Sequence, residues 1–215
     1  MTQHHPDINT LTEFATGTLD PAQAIAVKAH LHFCPHCRQQ VQQLEQLGGI
    51  LLEQSEPAAL EHLNFDSLMN TIDQLPPERL PAQSNEALPG VVVSLLKRKP
   101  LVWRKFTGGL KEATLNAGPS KHEIALHKIK ASGRVPKHDH DGMEITVVLQ
   151  GSFSDEDGLY QAGDFLIKQP GQVHQPVSAC NEDCLCLSVL QGPVRLTGLM
   201  GKFINPFIRL QKKVS

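Results

Sequence analysis

The 215-residue chain lacks the long apolar run of a membrane protein and the signal of an exported one. No run of eighteen apolar residues occurs in it, whereas a bilayer-spanning helix needs about twenty. Its first ten residues, MTQHHPDINT, contain neither the basic nor the apolar segment of a secretory signal. We therefore expect a cytoplasmic protein. Since the cytoplasm keeps thiols reduced, the five cysteines are expected to be metal ligands, sensors or core residues rather than disulfides.

Basic side chains are scarce in the first third of the chain. Residues 1–75 carry nine acidic side chains but only Lys28 and Arg38 as basic ones, which leaves a net charge of −7. Nucleic-acid-binding proteins usually present a basic patch, so direct DNA binding by this region is disfavoured. An acidic helical region suits a basic protein surface. An ordinary solvated acidic face explains the charge equally well.

Apolar spacing up to residue 75 predicts helices. Asp20 as the cap and Pro21 as the first helical residue predict a helix that ends at about His32. Pro35 fits the first turn of the next helix, and Asn64 can cap a further short one. These last two helices carry apolar stripes at helical spacing, Val41, Leu44, Leu47 and Leu51 on one and Phe65, Leu68, Met69 and Ile72 on the other.

The pattern changes after a proline-rich segment, residues 76–89, which is typical of a linker between domains. Beyond it, short β-branched segments alternate with Gly, Pro and Asp turns, as in GVVVSLL, HEIALHKI, EITVVLQG, GDFLIKQPG and CLCLSVL. Such spacing indicates an all-β sandwich or barrel. We therefore expect an α+β chain of two domains, all-α over residues 1–75 and all-β over residues 90–205.

The stretch HLHFCPHC contains a candidate zinc site. His30 and Cys34 are four residues apart and share a helix face, and Cys37 returns to the same side where the next helix begins. Thiolate and imidazole are the preferred ligands of tetrahedral zinc. The fourth ligand is expected from the N-terminal pair His4 and His5. A CxxC pair also occurs in redox dithiols, although no βαβ unit surrounds this one, and clustering without any metal is the other alternative.

A second candidate site begins at HDHDGME. His138 and His140 are two apart and share one face of a strand, and Glu144 follows across a tight turn. The later segment GDFLIKQPGQVHQP supplies His174. Three imidazoles and one carboxylate suit zinc, iron, manganese, nickel or copper. A metal with an open position in such a cavity could also activate oxygen.

The remaining cysteines lie near the end of the β region. Cys184 and Cys186 in CLCLSVL share one face of a predicted strand, opposite Leu185 and Leu187. If that face lines a barrel, the thiols could be oxidised near the metal. Small core side chains are the alternative interpretation. Cys180 lies in a predicted turn.

The H-x3-C-x2-C spacing with upstream histidines resembles the zinc-binding anti-sigma domain. Within that group, TLTEFATGTLDPAQAIAVKAHLHFCPHC followed by LGG resembles the ChrR family, and the second cluster resembles the two cupin motifs. The resemblance covers nearly the whole chain and implies a helical zinc domain followed by a cupin barrel. It implies that zinc is bound by His5, His30, Cys34 and Cys37. It also implies that a cupin metal, expected to be zinc, is bound by His138, His140, Glu144 and His174.

The same resemblance implies a function. The first four helices would wrap an extracytoplasmic-function sigma factor, one to one, and block its access to RNA polymerase without any catalysis. The cupin would report oxidative stress such as singlet oxygen and loosen the complex. Neither nucleic acid nor membrane is expected as a direct partner. A metal-dependent cupin enzyme, such as a dioxygenase with a helical interaction module, remains the alternative.

Overall fold

A computed structural model of the protein describes residues 2–56, 64–76, 88–97, 100–116 and 118–197. Most of the predicted linker and the last residues of the predicted β-domain therefore lie outside the described residues. The described part contains the helices α1 (Ile8–Ala15), α2 (Pro21–Phe33), α3 (Pro35–Glu53), α4 (Phe65–Gln74) and α5 (Gly90–Leu96). Among these described helices, none combines the length and the apolar character that crossing a bilayer requires.

Strands follow the helices, as the sequence predicts. They are β1 (Arg104–Lys105), β2 (Leu110–Leu115), β3 (Glu123–Ile129), β4 (His138–His140), β5 (Glu144–Gln150), β6 (Ser152–Ser154), β7 (Leu159–Gln161), β8 (Phe165–Lys168), β9 (Val177–Ser178), β10 (Cys184–Leu190) and β11 (Val194–Leu196). The chain is thus a helical region followed by a β-rich region.

Polar side chains begin the helices where the sequence predicts. The Asp20 carboxylate accepts a hydrogen bond from the backbone N–H of Ala22 at 2.9 Å, and α2 starts at Pro21. Asn64 caps α4 in the same way, through the backbone N–H of Asp66. Each cap satisfies a donor that the first helical turn leaves unpaired. The predicted start of α2 is therefore confirmed, and its end is one residue later than expected.

The segment Gly90–Leu96 corrects one prediction. GVVVSLL is predicted as a strand, but it forms the helix α5. Val92 and Leu95, three residues apart, are buried, and the helix packs on α2. Burial of this helical stripe outweighs the preference of consecutive valines for strands, because intrinsic propensity is worth less than packing.

The strands form three open sheets rather than the single closed barrel expected. The six-stranded sheet has the order β1-β2-β3-β10-β5-β8, and the smaller sheets are β11-β4 and β7-β6-β9. Isolated bridges join Arg134 to Val177 and His138 to His174. Each bridge links a strand of a smaller sheet, β9 or β4, to a residue outside the named strands.

The large sheet buries both faces. One face packs on α2, which contacts β5 and β10. This shared core contains Ala22, Ala26 and Ala29 of α2 together with Ile145, Val147, Leu187 and Val189 of the sheet. The other face turns toward the smaller sheets, with Val148, Leu166 and Cys186 against Phe153 and Tyr160. The helices and the β region therefore share one hydrophobic core.

Candidate metal centres

The first candidate centre lies where α2, α3 and the N-terminal segment meet. His30 is in the last turn of α2, Cys34 joins the two helices, and Cys37 is in the first turn of α3. The Sγ atoms of Cys34 and Cys37 each lie 3.4 Å from Nδ1 of His5. Potential ligand atoms of all four residues lie within 4.8 Å of one another. The structure thus brings together the four residues that the family resemblance implies.

The geometry of this cluster fits zinc. Ligands about 2.0–2.3 Å from a tetrahedral ion are separated by roughly 3.3–3.8 Å, which the distances at His5 match. His30 Nδ1 lies 2.7 Å from the carbonyl oxygen of Gly163, so it donates its proton there. The buried Nε2 of His30 has no hydrogen-bond partner among the described residues. A metal would satisfy this nitrogen, since a ligating imidazole usually donates its other N–H outward.

The two thiols differ in acidity. Burial, together with the neighbouring Cys34, raises the pKa of Cys37 to about 12. Burial also opposes ionisation of Cys34, but hydrogen bonds from Thr2 and from Cys37 outweigh it and lower the pKa of Cys34. A zinc ion would supply the positive charge that holds both sulfurs as thiolates.

The other nearby histidines lie outside this cluster. His4 Nδ1 is 3.5 Å from Oδ2 of Asp164. The ring of His36 lies 5.8 Å from that of His5, and the His32 ring stacks edge-on against Phe33. Of the two histidines that spacing alone leaves open, His5 is the one beside the cysteines.

The second candidate centre lies between the large sheet and β4. His138 and His140 lie on β4, and Glu144 is the first residue of β5. His174 forms an isolated backbone β-bridge with His138. His140 Nε2 is 2.8 Å from Glu144 Oε2, and His174 Nε2 is 3.0 Å from His138 Nε2. All four side chains are buried, and their potential ligand atoms lie within 4.8 Å of one another.

Electrostatics at this centre favour a neutral His138 and an ionised Glu144. Burial, with the nearby His174, lowers the pKa of His138 to about 4. Burial opposes ionisation of Glu144, but the hydrogen bond and charge of His140 outweigh it and hold the pKa of Glu144 well below its usual range. His138 Nδ1 donates to the carbonyl of Pro136 at 2.8 Å, which leaves its Nε2 facing the cluster. These residues fit a divalent metal with nitrogen and oxygen ligands.

A buried ion pair, not predicted from the sequence, lies beside Nδ1 of His174, the ring nitrogen that faces away from His138. Asp155 Oδ2 lies 3.6 Å from His174 Nδ1 and 2.7 Å from Lys168 Nζ. The Tyr160 hydroxyl donates to the other oxygen of Asp155 at 3.1 Å. Burial opposes ionisation of Asp155, but the neighbouring His174 and Lys168 outweigh it and keep its pKa well below the usual range. A lysine within the apolar strand FLIK is the sequence signal that could have indicated a buried acidic partner.

A second polar path, also absent from the sequence prediction, leads from Glu144 toward the surface. The Thr146 hydroxyl donates to Glu144 at 3.3 Å and lies 3.3 Å from that of Ser188. Ser188 is 3.1 Å from His127 Nδ1, and Nε2 of the same ring is 3.3 Å from Glu112. Such a chain of polar contacts orients the carboxylate.

The cysteines of β10 share one face, as predicted. The Sγ atoms of Cys184 and Cys186 lie 3.6 Å apart, and both residues are buried in the core between the sheets. Leu187 packs in the core beneath α2 instead. The hydrogen bond with Cys184, together with burial, raises the pKa of Cys186 well above its usual value. Cys180 is exposed. The pair therefore packs as buried core side chains, and Cys186 stays a protonated thiol.

These features define a class of protein in which a helical Cys/His metal-site domain precedes a cupin-type β-domain. The family model for a putative zinc-finger matches residues 10–38, and the ChrR cupin-like domain matches residues 93–195. Anti-sigma-E factor ChrR of Cereibacter sphaeroides is 33% identical over 97% of this chain and 99% of its own. The crystal structure of Rhodobacter sphaeroides SigE in complex with the anti-sigma ChrR contains a chain that matches with a TM-score of 0.73 and 33% identity, covering 88% of this chain and all of that one. The chain belongs to the ChrR family of anti-sigma factors.

Proposed function

We propose that this protein is a zinc-dependent anti-sigma factor. It binds an extracytoplasmic-function (group IV) sigma factor one to one and inhibits it, and so regulates transcription negatively. The observation that carries the proposal is the match to anti-sigma-E factor ChrR over 97% of this chain and 99% of that protein, which leaves no substantial part of either without a counterpart. The protein acts by binding, as a cytoplasmic regulator that neither catalyses a reaction nor binds nucleic acid or membrane itself.

Exposed apolar side chains on the acidic helical region support a protein partner. The α4 apolar face, Phe65, Leu68, Met69 and Ile72, contains no buried residue. Further large apolar side chains are exposed at the end of α3, namely Leu47, Ile50, Leu51 and Leu52. An apolar helix face of this kind binds a groove or helix of a partner, and the net charge of −7 over residues 1–75 favours a basic one.

Zinc at His5, His30, Cys34 and Cys37 would be structural. It would join the N-terminal segment, α2 and α3, whose own buried side chains are few and mostly small. A small domain with a limited core gains much of its stability from a metal. Loss of zinc should therefore release the sigma factor by unfolding the helical junction.

The β region would be the sensor. We assign residues 1–75 to the anti-sigma domain, residues 76–89 to the linker and residues 90–205 to the cupin domain, with a divalent metal, zinc, at the second cluster. Oxidative stress such as singlet oxygen would alter this domain and loosen the complex. The match of residues 93–195 to the ChrR cupin-like domain supports this role.

The experiment that tests the proposal uses the tagged full-length chain, purified from its native cell beside a Cys34→Ala variant. The wild type should retain a sigma factor, and the variant should not. In run-off transcription with purified polymerase, wild-type protein should abolish transcription that depends on that sigma factor. Transcription driven by the housekeeping sigma factor should be unchanged.

Two outcomes would overturn the proposal. Retention of no sigma factor by the wild type would remove its central claim, and substrate-dependent oxygen uptake with iron in the purified β-domain would favour a cupin enzyme instead. Equal inhibition by wild type and Cys34→Ala would leave an anti-sigma factor in which zinc plays no part.

A further inference from the structure

Three consecutive residues of the β region contact the first candidate zinc centre. Gly163 and Asp164 form the turn between β7 and β8, and Phe165 begins β8. The backbone N–H of Phe165 donates to the carbonyl of His4 at 3.0 Å, and its ring meets that of His30 edge-on at 5.8 Å. Residues about 130 to 160 positions apart in sequence are thus joined by direct contacts at this turn.

Asp164 holds the N-terminal segment. Its Oδ1 accepts hydrogen bonds from the backbone N–H groups of Gln3 at 2.7 Å and His4 at 3.2 Å. Its Oδ2 accepts a third, from Gln161 at 2.9 Å. The residue is fully buried, and although burial opposes ionisation, these hydrogen bonds outweigh it and lower the pKa of Asp164. An ionised carboxylate therefore fixes the backbone of the residue directly before His5.

Gly163 holds the other histidine. Its carbonyl accepts the Nδ1 proton of His30 at 2.7 Å, which leaves Nε2 for the metal. The turn fits tightly against the helices, because a Cβ atom at Gly163 would collide with the Thr2 side chain and lie 2.7 Å from Cβ of Phe33. Gly163 also has a φ of +96°, where side chains are strained.

We infer that the β7–β8 turn positions His5 and His30, so that the zinc affinity of the helical domain depends on the β-domain. The inference rests on the zinc site of the proposed function. Asp164 is a positioning residue that acts through the backbone of Gln3 and His4. A change in the β-domain that moves this turn away from the N-terminal segment and His30 therefore weakens zinc binding at the cysteines, and by reciprocity zinc binding favours the turn as it stands.

The test measures metal binding to the full-length protein with cobalt(II) and zinc. Thiolate-bound cobalt has a sulfur-to-metal charge-transfer absorption that the nitrogen and oxygen ligands of the cupin cluster cannot produce. Its decrease in Cys34→Ala, which removes one of the two sulfurs, assigns it to this site. The comparison is between wild type and Asp164→Ala, with Asp183→Ala as the matched control. Asp183 is an exposed carboxylate of the β region that also accepts a backbone N–H hydrogen bond, from Ala131 at 3.0 Å.

Asp164→Ala should weaken metal binding at the thiolate site by about 10–100-fold, the usual effect of losing an outer hydrogen-bond partner. The thiolate absorption should persist at saturation while the ligand-field bands change, because His5 is displaced and both sulfurs remain. Asp164→Asn should bind better than Asp164→Ala, since its amide oxygen can still accept from Gln3 and His4. Asp183→Ala should bind as the wild type does.

Equal affinity in Asp164→Ala, Asp183→Ala and wild type would overturn the inference while leaving the zinc site intact. Absence of the thiolate absorption in wild type would instead overturn the zinc site itself. If Asp164→Ala does not fold, Asp164→Asn and Gly163→Ala decide, because each should weaken metal binding in a chain whose circular dichroism is unchanged. Wild-type affinity in both of these folded variants would also refute the inference.

Discussion

Truncation of Phe65 should weaken sigma-factor binding without destabilising the protein. Phe65 is 71% exposed on the α4 apolar face. Full burial of a phenylalanine contributes about 1.5–3 kcal/mol, so covering this exposed fraction would contribute about 1–2 kcal/mol. At about 1.4 kcal/mol for each factor of ten, Phe65→Ala should raise the Kd for the sigma factor about 5–30-fold. Alanine is the better helix former, so α4 itself should persist.

The assay is isothermal titration calorimetry of the full-length protein with its purified sigma factor. Asn70→Ala is the matched control, because at helical spacing Asn70 lies opposite the apolar face and is equally free of burial. Both variants should unfold at the wild-type temperature within about 2 °C, as exposed substitutions rarely exceed about 0.5 kcal/mol. Unchanged affinity in Phe65→Ala would refute the assignment of this face to the partner.

Three further predictions concern the two metal centres. Cys37→Ser should lower the bound zinc by one atom per chain and abolish inhibition in run-off transcription; unchanged zinc content by mass spectrometry would contradict the site. Glu144→Gln should lose the cupin metal but retain the thiolate-bound cobalt absorption, and loss of both would show that the centres were wrongly separated. Asp155→Ala should weaken binding of the cupin metal about 10–100-fold, because His174 loses its outer partner. Asp157→Ala, on the exposed side of Lys168, should bind the metal normally, and equal affinities of the two variants in competition with a chelator would disprove the role of Asp155.

Part of each candidate ligand cluster follows from local spacing. His30 and Cys34 share a face because a helix repeats every 3.6 residues, and His138 and His140 share one because a strand repeats every two. Asp20 and Asn64 likewise begin helices through hydrogen bonds to residues two positions later. Short-range geometry of this kind depends only on the element that contains the residues, so sequence alone is sufficient to predict it.

Contacts between distant segments are not predictable in this way. Spacing leaves His4 and His5 equivalent, and only the packing of the N-terminal segment brings His5 to the cysteines. Asp164 resembles any aspartate that ends a turn, yet it accepts hydrogen bonds from a segment 161 residues away. In GVVVSLL, the packing of Val92 on α2 outweighs a strong local preference for a strand. In each case the deciding energy comes from tertiary contacts that the local pattern does not contain.

The strand β8 explains how a signal could pass between the two centres without involving the linker. Phe165 at its start contacts His4 and His30, and Lys168 at its end pairs with Asp155, which lies beside His174. Four residues of strand span only about 10–13 Å, so displacement of His174 acts on a short, hydrogen-bonded element that also borders the zinc cluster. Position alone does not establish coupling. The decisive measurement compares the zinc affinity of the thiolate site with the cupin metal bound and with it removed. Equal affinities would show that the signal does not pass through β8.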